Sequence, residues 1–257
     1  MKIAILGAGN LGSAVARGLV RGGIDASCVT LTAAHAASLE KFAAEGFATA
    51  TDNAAAVRGA DFVCIAVKPW IFEQVAREIA PVLDADTQML VCMAPGIPAA
   101  KLEALFPGSL PIAYVIPNTA AEVAASATIL SPVRATAAQM DALEALTDRF
   151  GKTFRLDAAH MMAGTATTSC GIAYALRYIR AAVEGAVELG IPAATALQAV
   201  SATVAGAAAL LDAHGSHPEA EIDKVTTPGG LTIKGLNAME EGGFTAAVVS
   251  GLKAGTK

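Results

Sequence analysis

Gly7, Gly9 and Gly12 stand in the spacing G-x-G-x-x-G, directly behind the apolar run Lys2–Leu6 and ahead of a stretch with helical spacing, Leu11–Arg21. Glycines so placed suit a pyrophosphate. The first permits a tight turn, the second lets phosphates reach the backbone, and the third lets the helix pack close to the strand. The helix N-terminus adds open N–H groups and partial positive charge. Gly7, Gly9, Asn10, Leu11 and Gly12 are therefore candidate cofactor-binding residues; the competing reading is a Gly-rich turn with no ligand. A second place of this kind lies near the other end of the chain. Thr226-Thr227-Pro228-Gly229-Gly230 leads into a helix beginning at Leu231, so backbone N–H groups face outward as an anion hole. Thr226, Thr227, Gly229 and Gly230 are candidates to hold an anionic group, against the plainer reading of a Gly-rich helix cap.

These loops need elements to hold them. Strand-like runs recur at Lys2–Leu6, Cys28–Thr32, Phe62–Val67, Met89–Met93 and Ile112–Ile116. Helical patterns lie between them at Leu11–Arg21, Ala33–Glu45, Ile71–Val82 and Ala99–Phe106. Such alternation predicts an α/β fold: a doubly wound, mostly parallel Rossmann sheet with helices on both faces. Ala127–Leu130 and Thr153–Leu156 add one or two strands around a helix at Thr136–Phe150, with Gly151-Lys152 as a turn. No strand candidate follows Leu156. His160–Leu189, Ala193–Leu211, Glu219–Val225, Leu231–Glu241 and Phe244–Ala254 read as helices. The expected domains are 1–157, binding NADP, and 158–257, an all-helical dimerisation and substrate domain.

Strand ends of an open α/β sheet line its ligand crevice, which places Ala66, Val67, Lys68 and Pro69, and also Asn118, at the mouth. Lys68 reads equally as a solvated strand-end lysine. A site for unphosphorylated dinucleotide carries an acid at the end of the second strand. Here that strand ends at Thr32 without one, and Asp25 lies at its far end. The missing carboxylate favours NADP(H) over NAD(H), with Thr32, His35 and Ser38 as hydrogen-bonding candidates; NAD(H) stays usable. His35 reads equally as an ordinary surface histidine.

The 257 residues carry a net charge of −5 and 54% hydrophobic residues, much of it alanine. With no basic block, nucleic acid is not expected as a partner. Cys28, Cys64, Cys92 and Cys170 show no metal-ligand spacing, so no metal site is expected, and unpaired thiols point to a reducing, cytoplasmic setting. Leu189–Leu211 holds no charged residue and is long enough to cross a bilayer. Its small alanines and its Pro, Thr, Gln and Ser residues favour burial at a subunit contact over membrane insertion. A homo-oligomer built through the helical domain is therefore expected.

Three motifs, Ala66-Val67-Lys68-Pro69, Pro117-Asn118-Thr119 and Val225–Ile233, occur in order and spacing with the glycine loop. Together they resemble Δ1-pyrroline-5-carboxylate reductases over nearly the whole chain; the last is the most specific. The resemblance implies reduction of a cyclic imine carboxylate to L-proline with NADPH or NADH. It places the backbone at Ala66–Pro69 on the cofactor, Asn118 near the nicotinamide and Asn53 on the adenosine. Asn53 reads otherwise as part of an Asp52-Asn53 helix cap. Thr232 is set against the imine nitrogen as the catalytic residue. The resemblance also implies intertwined dimers, assembled further into decamers, with Thr226–Thr232 serving the partner's first domain. Departures from the family pattern fall at Ala120, Ser169, Cys170, Ile172, Thr227 and Leu231, and at Tyr114, where an arginine is common.

Two other enzymatic readings and one non-enzymatic reading compete. A β-hydroxyacid dehydrogenase uses a lysine on the long helix, and none lies between Lys152 and Lys224. A reductase of another cyclic imine fits the departures. So does a non-catalytic NADP-binding regulator, because fold alone does not establish function.

Overall fold

The computed structural model describes residues 1–106 and 108–256. Pro107 and Lys257, the latter the last residue of the expected second domain, lie outside the described residues. Chain contacts divide it into two compact units, Met1–Ile172 and Ala173–Gly255.

The first unit is built on one eight-stranded sheet in the order β3-β2-β1-β4-β5-β6-β7-β8. Its strands are β1 (Ile3–Leu6), β2 (Val29–Thr32), β3 (Ala48–Ala50), β4 (Phe62–Ile65), β5 (Met89–Cys92), β6 (Ile112–Ile116), β7 (Ser126–Arg134) and β8 (Gly151–Arg155). The order reverses beside β1, which opens the ligand crevice of a Rossmann sheet. β7 runs antiparallel to β6, and β8 is parallel to β7. Alternate residues feed opposite faces. Ile3 and Ile5 join one apolar core with Val29 and Leu31, while Ala4 and Leu6 join the other with Val63 and Ile65. Strands buried on both faces read as unbroken apolar runs, which is why they were legible.

The helices of this unit are α1 (Asn10–Arg21), α2 (Glu40–Ala44), α3 (Asn53–Ala56), α4 (Pro69–Ile79), α5 (Ala99–Leu105), α6 (Ala137–Thr147) and α7 (Met161–Thr165). α4 buries Phe72, Val75, Ala76 and Ile79, one face at helical spacing. Gly18 lets α1 lie against the 3-10 turn Thr119–Val123, since a Cβ there would sit 2.1 Å from the Ala121 carbonyl oxygen.

Several expectations are corrected. The helix expected over Ala33–Glu45 is only a 3-10 turn, Ala36–Ser38, and the short α2. β3 lies in a stretch with no expected element, and α3 follows the Asp52-Asn53 cap given there as the alternative reading. Gly151-Lys152 opens β8 rather than forming a turn. The helix expected over His160–Leu189 is broken by a π-helical segment, Ala166–Cys170, ahead of α8 (Gly171–Glu188). These corrections concern elements and leave the expected domain boundary near Asp157 as it stands. The compact first unit runs on to Ile172 because α7 and the π segment contact β7.

The second unit holds most of α8, with α9 (Ala193–His214), α10 (Pro218–Lys224), α11 (Leu231–Glu241) and α12 (Phe244–Ala254). Tyr178 meets Phe244 edge-on, with ring centroids 6.2 Å apart, and the Tyr174 hydroxyl donates to the Gly251 carbonyl oxygen at 3.2 Å. On α9 only Ala196 is buried.

Candidate active site

β1 delivers the glycine loop to the sheet's C-terminal edge. Gly7 adopts φ +109°, closed to other residues, and a Cβ there would press on the Ala66 oxygen and Val67 Cγ1 at 3.0 Å. The loop and the Ala66–Pro69 turn after β4 are therefore in contact. Gly12 brings α1 down on the loop: a Cβ would stand 2.1 Å from the Gly7 carbonyl oxygen. Gly9 is different. Among the described residues a Cβ there meets nothing within 4 Å, so no packing among them requires glycine. The ladder of α1 begins with the Ser13 N–H donating to the Gly9 oxygen at 2.9 Å, and no side chain caps the helix. Among the described residues the N–H groups ahead of Ser13, at Asn10, Leu11 and Gly12, have no backbone acceptor. That cradle fits a pyrophosphate.

Lys68 is the exposed N-cap of α4, with Pro69 at its first turn and Trp70 79% exposed beyond it. At the end of β2, the Thr32 hydroxyl is buried and engaged: it accepts from the Gly7 N–H at 3.3 Å and donates to Asn53 Oδ1 at 2.6 Å. With its single proton on Asn53, Thr32 would donate to a ribose phosphate only by releasing that bond. Asp52, not Asn53, caps α3, accepting from the Ala55 N–H at 3.0 Å. Asn53 instead donates through Nδ2 to Glu78 Oε2 at 3.0 Å, a carboxylate absent from the sequence expectation.

Asn118 is buried at the end of β6. Its Oδ1 accepts from the Ala120 N–H at 3.0 Å, and its Nδ2 donates to the Thr168 carbonyl oxygen at 3.2 Å in the π segment. It thus ties the strand end to a helix irregularity of a kind frequent at functional sites. Nearby Tyr114 donates to the Ile97 oxygen at 2.5 Å, and burial pushes its hydroxyl up to about 12, so it is a neutral packing residue. Burial also pushes the Cys64 and Cys92 thiols up to about 12, which leaves them unreactive.

In the second unit Thr227-Pro228-Gly229-Gly230 forms a tight turn. The Gly230 N–H donates to the Thr227 oxygen at 3.0 Å, and Gly229 sits at φ +69°. Proline followed by a positive-φ glycine is the type II pattern. Gly230 is the N-cap of α11, with no capping side chain. The Thr226 hydroxyl is spent on the Ile222 oxygen at 2.7 Å. A Cβ on Gly230 would fall 2.5 Å from Thr227 Oγ1, so a side chain there displaces Thr227. Thr232 is exposed in the first turn of α11, and among the described residues its hydroxyl has no hydrogen-bond partner. Leu231 beside it is 87% exposed.

Residues 158–257 match the family model described as pyrroline-5-carboxylate reductase dimerisation, and residues 2–95 match that described as NADP oxidoreductase coenzyme F420-dependent. Pyrroline-5-carboxylate reductase 3 of Macaca fascicularis is 32% identical over 99% of this chain and 93% of its own length. Pyrroline-5-carboxylate reductase 1 of Dictyostelium discoideum is 34% identical over 97% of this chain, which spans 48% of that relative. In fold, the chain superimposes on the pyrroline carboxylate reductase of Plasmodium falciparum, solved with NADP bound. The TM-score is 0.89 at 22% identity, covering 100% of this chain and 95% of that one.

Proposed function

The chain belongs to the pyrroline-5-carboxylate reductase family, and from that premise we propose that it reduces the cyclic imine 1-pyrroline-5-carboxylate to L-proline, closing proline biosynthesis. NADP(H) is the preferred cofactor and NAD(H) a usable one. The observation that carries this reading is the pair of uncapped helix N-termini. α1 opens behind Gly9, where a side chain would have room, and α11 opens behind the Thr227–Gly230 turn. One suits a pyrophosphate and the other a carboxylate.

A reduced nicotinamide held by these residues would supply the hydride that adds to the C=N carbon. The chain's own residues do the rest. Gly7, Gly9 and Gly12 with the N–H groups of Asn10 and Leu11 hold the phosphates. The backbone at Ala66–Pro69 forms the neighbouring wall. Asn53 serves the adenosine end, and Asn118 fixes the strand end below the nicotinamide. The Thr226–Gly230 turn holds the substrate carboxylate. Thr232, its hydroxyl otherwise free, faces the ring nitrogen; that nitrogen already carries its proton in the iminium, hydride addition leaves a neutral secondary amine, and the hydroxyl donates a hydrogen bond to the lone pair that forms on it. A cyclic iminium is already activated, so no strong acid is required.

The working form is a cytoplasmic homodimer joined through residues 158–257, with a decamer as its larger assembly and the Thr226–Thr232 segment of one chain serving the partner's first unit. The test is NADPH oxidation with 1-pyrroline-5-carboxylate and a panel of other cyclic imines. Turnover of the first supports the proposal. Turnover only of a different imine transfers the activity to that substrate, a reading favoured by the exposed Leu231. Binding without turnover of any imine makes the protein a regulator.

A further inference from the structure

β2 ends at Thr32 without an acid, yet the fold brings a carboxylate to that place from α4. The Gly7 N–H donates to Thr32 Oγ1, the Thr32 hydroxyl donates to Asn53 Oδ1 at 2.6 Å, and Asn53 Nδ2 donates to Glu78 Oε2 at 3.0 Å. A hydroxyl has one proton, an amide oxygen only accepts and an amide nitrogen only donates. The direction of this relay is therefore set, and it ends on a carboxylate, where the bond is charge-assisted. Glu78 is exposed, and among the described residues no Lys, Arg or His pairs with it. Its neighbour Arg77, and Lys101 from α5, both go to Glu73. The stretch after β2, Ala33–Leu39, offers His35 and Ser38 but no lysine or arginine.

We infer that Glu78 is the specificity-determining residue at the adenosine end. It positions Asn53, and through Asn53 and Thr32 it steadies the glycine loop. Its uncompensated charge stands by the end of β2, where a ribose 2′-substituent is read, and opposes a 2′-phosphate. The preference for NADPH is held down, and NADH stays usable. This rests on the dinucleotide reading above.

The experiment is an equilibrium titration of the full chain with NADPH and, separately, NADH. It is read from the emission of Trp70, the single tryptophan, and needs no turnover. Glu78→Gln keeps an acceptor for Asn53 and removes the charge. NADPH binding should tighten about three- to tenfold while NADH changes less than about twofold, and the gain should shrink as salt rises past about 0.5 M. Glu78→Ala also removes the anchor and should weaken NADH relative to Glu78→Gln. An unchanged NADPH-to-NADH ratio in Glu78→Gln, or a gain indifferent to salt, overturns the charge role. Equal NADH affinity in the two variants overturns the positioning role. Wild-type protein that binds neither nucleotide sinks the dinucleotide reading, and this inference with it, before any variant is made.

Discussion

Three glycines in one loop are glycine for three different reasons. Gly7 is required by its dihedral angle, Gly12 by the carbonyl beneath it, and Gly9 by nothing among the described residues. The difference is measurable. Gly12→Ala forces a methyl group into the Gly7 oxygen and should cost about 1–3 kcal/mol of stability, as overpacking does. Gly9→Val meets open space, so its melting temperature should stay near wild type, while nucleotide binding followed through Trp70 is lost. A Gly9→Val variant that binds NADPH normally would remove the phosphates from this cradle. Thr232 is tested on the same scale. Thr232→Ala keeps the helix, because alanine is a strong helix former, and removes one bond that strengthens as the nitrogen becomes an amine. Positioned proton donors contribute roughly 10² to 10⁴-fold, and the low end suits a pre-activated iminium. kcat should therefore fall about a hundredfold with cofactor affinity unchanged. Wild-type turnover would move the role elsewhere, though not to Thr226, whose hydroxyl is committed to Ile222. Gly230→Ala should raise KM through a displaced Thr227 rather than by crowding the substrate directly. The motif glycines were legible because each stands beside its own strand and helix. Glu78 was not, because it meets Asn53 across 25 residues of chain, and no local pattern records that contact.

At the scale of elements, what was legible follows burial. Strands packed on both faces are apolar throughout, and α11 and α12 were expected at the bounds they have. β3 is an edge strand whose Ala48, Thr49 and Ala50 are none of them fully buried, so no apolar run announced it. The π segment arises where Thr165, Thr167 and Thr168 turn their hydroxyls back onto carbonyl oxygens four residues earlier, a habit that bends helices but leaves helical periodicity largely intact. Two element-level contacts carry predictions. Gln88 is buried just ahead of β5, and its Nε2 donates to the Val57 and Ala60 oxygens, both at 2.6 Å, closing the loop after α3. Gln88→Leu leaves the Ala60 carbonyl without its partner and the Val57 carbonyl with only the Ala60 N–H at 3.2 Å, at about 1–3 kcal/mol for the buried group left unpaired. Denaturant unfolding should show a lowered midpoint. Glu73 joins α4 to α5, with Lys101 first and Arg77 second holding its carboxyl down to about 2 from 4.5. Its folded-state value is the lower one, so its contribution is full above about 4.5 and lost as pH falls toward about 2. Glu73→Gln should thus be slightly less stable than wild type at neutral pH, equal to it near the acid limit, and less distinguishable in high salt, since the pair is exposed.

The second unit leaves more apolar surface in water than one copy can justify. α9 is long and apolar enough to cross a membrane by length and composition alone, yet only Ala196 of its 22 residues is buried. Leu189 and Leu197 are 86% and 52% exposed. In the same unit, Tyr178, Met239, Phe244 and Val248 line an apolar groove of about 660 Å³. In a chain whose residues 158–257 match a dimerisation model, a second copy is the cover these faces fit. Leu197→Glu should then shift the sedimentation profile toward monomer, because a charge buried without a partner is costly. Dimerisation alone leaves open whether each site belongs to one chain or two, and that question has a direct test. The glycine loop proposed for the pyrophosphate lies in the first unit and the turn proposed for the carboxylate in the second. Take Gly9→Val, disabled in the first, and Thr232→Ala, disabled in the second, and exchange their subunits at equal amounts. If each site joins one chain's first unit to its partner's α11, every hybrid dimer holds one doubly altered site and one unaltered site. About a quarter of wild-type activity should then return, since hybrids form half of a random mixture of two-fold dimers. If each site lies within one chain, every site keeps one lesion and no activity returns. Recovery would place the substrate's carboxylate and the nucleotide's phosphates on different chains, and would make the apolar faces of the second unit a requirement of catalysis as well as of stability.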